Sequence, residues 1–234
     1  MGMYDNSPWA AFELIAQLDP ALTGIVLLSL KISLAAVAIA SLIALPLGAA
    51  IALWQFSGRS LVIVVLNALM GLPPVVVGLM VYLLLSRAGP LGQYGLLFSP
   101  IAMVIAQTVL VLPIIAALTR QVIEDLWQEY REHLQSLGVS RLRAIPTLLW
   151  DARLSLLTVV LAGFGRASAE VGAVLIVGGN IDGVTRVMTT AIALETNKGN
   201  LALALGLGIV LLSLVALINA AAFAVSETAR RRLG

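Results

Sequence analysis

Two side chains of opposite charge lie four positions apart within the long apolar stretch 154–177. They are Arg166 and Glu170. An ionisable side chain is costly in a membrane unless it is paired or faces water, and residues four apart on one helix can meet. The spacing therefore leaves two interpretations open. One is a structural ion pair that eases insertion, and the other is a gate element or a latch to a partner.

A second candidate is the pair Pro73–Pro74, in the middle of another apolar stretch. Proline removes a backbone donor and breaks the hydrogen-bond ladder of a helix. Such breaks are tolerated at membrane depth where the backbone lines a cavity or is covered by protein. We expect either a packing kink or a kinked helix that forms a constriction.

The third candidate is a charged segment within residues 120–153. Tyr130, Leu134 and Leu137 recur at helical spacing and form an apolar face. Gly138 follows, where a helix C-terminus favours a left-handed residue. The pattern predicts a short amphipathic helix and leaves two roles open: a connector on the membrane surface, or a helix that binds a groove on a soluble partner.

The composition shows which solvent surrounds these residues. Hydrophobic residues make up 60% of the 234 and charged residues 11%, against roughly 45–50% and 25% in soluble domains. A water-soluble globule, a disordered chain and a basic nucleic-acid binder are excluded. With one histidine and no cysteine, we expect no metal site and no disulfide.

The apolar stretches predict an all-α, polytopic membrane bundle of five helices, because backbone groups in lipid must be satisfied within each segment. Each stretch has about 20 residues or more, as a bilayer requires. We expect residues 1–234 to form a single transmembrane domain with two larger loops, a cytosolic one at 120–153 and an outer one at 178–200. The predicted spans are 22–53, 61–85, 96–118, 154–177 and 201–225.

Basic residues predict the orientation, because they concentrate in cytoplasmic loops. With the N-terminus outside, nine fall on the inner side: Arg59, Arg120, Arg131, Arg141, Arg143, Arg153, Arg230, Arg231 and Arg232. Three fall on the outer side: Arg87, Arg186 and Lys198. We therefore expect an outer N-terminus, a cytoplasmic C-terminus, and a stop-transfer role for the basic run 230–232.

The inner loop resembles the coupling motif of bacterial ABC importer permeases, which is Glu-Ala-Ala, three residues, Gly, nine residues, Ile-x-Leu-Pro. Glu132 falls on the motif glutamate and Gly138 on its glycine. His133 and Leu134 replace the alanines, Leu148 replaces the isoleucine, and Trp150 and Asp151 replace Leu-Pro. The resemblance is partial, and it falls between the third and fourth predicted spans.

Further segments resemble the permeases of molybdate and tungstate importers. These segments are Leu-Pro-Pro-Val-Val-Val-Gly at 72–78, Gly-Pro-Leu-Gly at 89–92, and Phe-Gly-Arg-Ala-Ser-Ala-Glu-Val-Gly-Ala at 164–173. The run 169–180, which leads into Thr-Asn-Lys-Gly-Asn at 196–200, is most similar to the tungstate subgroup.

The resemblance implies a permease of the type I ABC importer fold in the cell (inner) membrane. It implies a second permease copy, a pair of cytosolic ATPases that bind ATP, and an extracytoplasmic protein that delivers the oxyanion. The permease itself needs no cofactor and is not an enzyme, in agreement with the absence of a phosphate-binding Gly-x-x-x-x-Gly-Lys-Ser/Thr loop.

The resemblance also implies roles for named residues. Contact with the ATPase is expected for Glu129, Tyr130, Glu132, Leu134, Leu137, Gly138 and Arg141. A role in the translocation path or gate is expected for Pro73, Pro74, Arg166 and Glu170. The outer loop 178–200, with Asn180, Arg186 and Lys198, is expected either to contact the binding protein or to pack as a lid on its own chain.

Two alternatives stay open, and a third is disfavoured. The cargo could be molybdate, sulfate, another oxyanion or an amino acid rather than tungstate, because the binding protein largely sets specificity in such importers. A proton-coupled carrier or a channel could use Arg166 and Glu170 as a relay. An intramembrane protease is disfavoured, because no aspartate lies within a predicted span and the single His cannot form His-Glu-x-x-His.

Overall fold

A computed structural model describes residues 20–233, with side chains given for 22–224 and for 227 and 228. The N-terminal segment and the side chains of 230–232 lie outside the described residues. The described part of the chain contains nine α-helices, a 3-10 turn at Gly92–Tyr94 and no strand. The helices are α1 Pro20–Leu53, α2 Arg59–Met70, α3 Pro74–Leu85, α4 Pro100–Ser136, α5 Arg141–Asp151, α6 Arg153–Ser168, α7 Gly172–Gly178, α8 Met188–Asn197 and α9 Leu201–Leu233.

The helices agree with the predicted membrane protein. Three are long and apolar enough to cross a bilayer: α1 from Leu22, all of α4, and α9 as far as Ala224. Two further pairs, α2 with α3 and α5 with α6, are bent, and each is long and apolar enough to cross a bilayer only when the pair is taken as one span. The described residues therefore provide three to five spans, and the predicted all-helical class is confirmed.

Prolines explain where the second stretch is interrupted. Helix α2 ends at Met70, and α3 starts at Pro74, with Pro73 in an extended conformation before it. Proline is well suited to the first helical position, where its missing donor has no intrahelical acceptor. Pro46 and Pro113, by contrast, stay inside the long helices α1 and α4. The tandem prolines therefore separate two helices.

The described part of the chain divides into two compact units, and the first comprises residues 20–35, Pro73–Gln107 and Ser168–Ala221. Helices α3 and α7 approach closely here, because a Cβ on Gly78 would lie 2.8 Å from the Ala173 Cα. The Ser29 hydroxyl accepts a 2.7 Å hydrogen bond from the Met188 backbone N–H. That bond ties the start of α8 to α1 within this unit.

The second unit comprises Ala36–Leu72, Thr108–Ala167 and residues 222–233. Helix α4 packs closely on two neighbours in it. A Cβ on Gly48 of α1 would lie 2.9 Å from the Thr119 Cβ, and one on Gly163 of α6 would lie 2.8 Å from Ile115 Cδ1. The Thr108 hydroxyl also donates a 3.4 Å hydrogen bond to the Ala36 carbonyl. Small residues thus let the helix backbones approach, as is common between membrane helices.

Candidate coupling site and translocation elements

The segment predicted to bind an ATPase forms the end of α4 and the turn after it. Gly138 has φ +70°, so the predicted left-handed conformation is confirmed. The Val139 N–H donates to the Leu134 carbonyl and the Gly138 N–H to the Gln135 carbonyl, each at 3.0 Å. These two bonds form a Schellman motif, which satisfies carbonyls that a helix end leaves open. Helix α5 then starts at Arg141. We call residues 129–141 the coupling segment.

The apolar face of the coupling segment is only partly open to a partner. The Leu137 side chain is 66% exposed, whereas Tyr130 and Leu134 are half-buried against their own chain. The polar residues Glu129, Glu132 and Arg141 are exposed, as a rim of polar contacts would require. Leu142 and Trp150 add exposed apolar surface on α5. Contact of this face with an ATPase stays a prediction.

The fourth predicted span contains a break. Helix α6 ends at Ser168 and α7 begins at Gly172, so the prediction that Arg166 and Glu170 share one helix is wrong. Glu170 is 3% exposed, and its Oε1 accepts a 3.0 Å hydrogen bond from the Ala173 N–H. A buried carboxylate that accepts a hydrogen bond from a backbone N–H stabilises the start of α7. Residues 169–171 lie between the two helices. Pairing of Arg166 with Glu170 stays a prediction.

The broken segment lies beside the start of α3. A Cβ on Gly172 would lie 2.9 Å from Val75 Cγ2, and Val75 directly follows Pro73 and Pro74. The Glu170 carbonyl also accepts a 2.7 Å hydrogen bond from the Thr189 hydroxyl of α8. The first unit therefore brings the proline pair near the 169–171 break. Their roles in a path or gate remain predictions.

The outer loop is held together by its own side chains. The Thr185 hydroxyl donates to the Gly178 carbonyl at 2.6 Å and accepts from the Ile181 N–H at 2.9 Å. Asn180 has a left-handed φ of +52°. Arg186 pairs with Asp182 at 2.9 Å and Lys198 with Glu195 at 2.8 Å. Both loop cations thus pair with acidic residues four and three positions away in the loop itself. Contact with a binding protein and packing as a lid both stay predictions.

A comparison with known protein families decides the identity. The family described as the inner membrane component of binding-protein-dependent transport systems matches residues 44–232. The chain belongs to this family. The matched residues include the coupling segment and the breaks in the second and fourth stretches.

Individual relatives of this permease carry names that mention oxyanions. It is 42% identical to a probable anion ABC transporter permease of Haloferax volcanii, over 85% of this chain and 88% of the relative. It is 41% identical to the tungstate uptake permease TupB of Peptoclostridium acidaminophilum, over 93% of this chain and 96% of the relative. The molybdenum transport permease ModB of Escherichia coli K12 is 31% identical, over 71% of this chain and 76% of the relative.

The permease also contains an ion cluster that sequence reasoning missed. Arg59, Arg120 and Glu124 meet within the second unit, on α2 and α4. The sequence indicates only half of this cluster, since Arg120 and Glu124 are four apart on one helix. Arg59 is 65 positions from Glu124, and no local pattern relates them.

Proposed function

We propose that this permease forms the membrane-spanning part of an ATP-driven importer whose cargo is tungstate. The observation that carries this proposal is the similarity to the tungstate permease of P. acidaminophilum over almost the whole of both chains. The molybdenum permease is less similar and covers less of this chain. Molybdate is therefore the second candidate cargo.

The coupling segment supports an ATPase as the partner on the inner side. It follows the part of a 37-residue helix that is long enough to cross the bilayer, and it exposes Leu137 together with the polar residues Glu129, Glu132 and Arg141. An apolar anchor within a polar rim is the usual anatomy of a docking surface. ATP is bound and hydrolysed by that partner, not by the permease.

The broken segments support a translocation path in the first unit. Non-helical backbone at membrane depth is tolerated where it lines a cavity or is covered by protein. Transporter sites are commonly built from such discontinuous helices. Here Pro73–Pro74 and Glu170 supply two breaks that lie close together. We assign these breaks to the path or its gate. The same role for Arg166, which belongs to the second unit, rests on the family resemblance alone.

A second copy of the chain completes the proposed assembly. The long helix α9 has only 22% of its most apolar window buried within the chain, which leaves most of that surface for lipid or for another subunit. Two identical permeases usually pack around a two-fold axis, and a path on that axis would use the breaks of both copies. An extracytoplasmic binding protein delivers the cargo to the outer side.

The test is uptake into vesicles that contain the permease, its ATPase and its binding protein. We expect tungstate to enter only when ATP is present on the side of the membrane that carries the ATPase. We also expect tungstate to enter faster than molybdate or sulfate at equal concentration. Faster uptake of molybdate would contradict the proposed cargo but keep the importer. Uptake without ATP that stops when a proton gradient is collapsed would contradict the importer and favour a proton-coupled carrier.

A further inference from the structure

The ion cluster of Arg59, Arg120 and Glu124 joins three helices of the second unit. The Arg59 guanidinium donates to Glu124 Oε1 at 2.7 Å through Nη2. It also donates to the last carbonyls of α1, from Nε to Ile51 at 3.0 Å and from Nη2 to Ala52 at 3.3 Å. Arg120 binds the other carboxylate oxygen, Oε2, one turn earlier on α4. Both oxygens of Glu124 are therefore engaged, each by a different arginine. We call these three residues the Glu124 clamp.

The clamp is a largely buried charge network. The side chains of Arg59, Arg120 and Glu124 are 16%, 11% and 27% exposed. Loss of one partner from such a network is costly, because it leaves the other charge uncompensated where water is scarce. Among the described residues, Arg120 Nε has no hydrogen-bond acceptor. With two cations and one anion, the network depends on Glu124 more than on either arginine.

The position of Glu124 on α4 gives the clamp a mechanical consequence. Helix α4 continues without interruption from Glu124 to Ser136, so a displacement of the coupling segment must also move Glu124. Arg59 transmits that displacement to the end of α1, because its planar fork holds the carboxylate and two carbonyls at once. Helix α2 moves with them, since Arg59 is its first residue.

We propose that Glu124 is a positioning residue that makes the coupling segment and the inner end of α1 move as one body during ATP hydrolysis. This inference rests on the proposed function, because it assumes that an ATPase displaces residues 129–141. A clamp that served stability alone would affect folding but would not change the amount of cargo moved per ATP. That difference separates the two roles experimentally.

The test compares Glu124→Gln with Asp125→Asn in the reconstituted complex. Asp125 is the next residue on the same helix, is exposed, and makes no ion pair with any described residue, so it is a matched neutralisation outside the clamp. We expect Glu124→Gln to lower cargo uptake per ATP by about fivefold, which is within the range of measured coupling effects. Asp125→Asn should match the parent, and basal ATP hydrolysis should change by less than about twofold in both.

Arg59→Lys provides a second variant in case Glu124→Gln does not fold. Lysine keeps the charge, but it lacks the fork that holds three acceptors. We expect it to lower uptake per ATP in the same direction as Glu124→Gln, by a smaller factor. Normal uptake per ATP in both variants, with only a lower unfolding temperature, would show that the clamp is structural and would overturn the proposal.

A distance measurement tests the clamp without reference to the cargo. The chain has no cysteine, so spin labels can be attached to Gln55→Cys after α1 and Gln128→Cys on α4, both at exposed positions. We expect the distance between the labels to stay constant through the ATP cycle in the parent and to vary when Glu124→Gln is added. A distance that varies in the parent would overturn the clamp. A parent with a constant distance but no ATP-dependent uptake would instead contradict the proposed function.

Discussion

Gly138 is the residue whose backbone conformation fixes where the coupling segment turns. Its φ of +70° is in the left-handed region, and a Cβ at this position would meet no atom within 4 Å. A side chain there therefore causes backbone strain without a clash. The strain would act on the angle between α4 and α5, and hence on the orientation of Leu137.

We predict that Gly138→Ala lowers the free energy of unfolding by about 1 kcal/mol, the usual cost of a left-handed non-glycine residue. Gly24→Ala is the matched control, because Gly24 lies inside the helix α1 and its Cβ would also meet nothing within 4 Å. That variant should be more stable by about 0.5–1 kcal/mol, because glycine is unfavourable within a helix. Thermal unfolding of the purified permease measures both changes.

A Gly138→Leu variant tests the functional part of the same argument. It should insert normally, since the residue lies outside the predicted spans, yet hydrolyse ATP in the complex with reduced uptake of cargo. Equal uptake per ATP in Gly138→Leu and the parent would show that the coupling segment is only a connector between spans.

At the scale of elements, the break between α6 and α7 places a carboxylate inside the first unit. Glu170 accepts a hydrogen bond from the Ala173 N–H and so holds the start of α7. Glutamine keeps a side-chain oxygen for that bond but removes the charge. The substitution therefore separates the capping role of Glu170 from any pairing with Arg166.

We predict that Glu170→Gln and Arg166→Gln each destabilise the permease by about 3 kcal/mol if the two charges compensate each other. The double variant should be less destabilised than the sum of the two, with a coupling energy above about 1 kcal/mol. Thermal unfolding and uptake are measured for the four proteins of the cycle. Additive losses would contradict pairing, and a folded double variant without uptake would favour a role in the gate.

At the scale of the whole molecule, the orientation in the membrane determines which partner meets which surface. The span α4 separates the turn Gly92–Tyr94 from the coupling segment. An outer N-terminus places the turn outside the cell membrane and the coupling segment in the cytoplasm. The excess of basic residues on the inner side supports this orientation.

We predict that single cysteines at Gln93 and Gln135, which are both exposed, react from opposite sides of the membrane. A membrane-impermeant maleimide should label Gln93→Cys in intact spheroplasts and Gln135→Cys only after permeabilisation. The cysteine-free parent gives no background. The reverse pattern would show that the N-terminus is inside and that an ATPase cannot reach the coupling segment.

The sequence by itself determined the features that depend on composition and on local spacing. Its apolar stretches were sufficient for an all-helical membrane protein, because lipid permits few other backbone arrangements. Gly138 was predictable as a left-handed helix end, because the helical apolar pattern stops at a glycine. The proline pair marked an interruption for the same kind of local reason.

Only the tertiary structure decided the features that depend on contacts between distant residues. The run Ala-Glu-Val at 169–171 contains no helix breaker, so no local pattern predicts the end of α6 at Ser168. At this break, Glu170 accepts hydrogen bonds from the Ala173 N–H and the Thr189 hydroxyl. Arg59 and Glu124 meet across 65 positions, because packing of α1, α2 and α4 brings them together and sequence spacing does not.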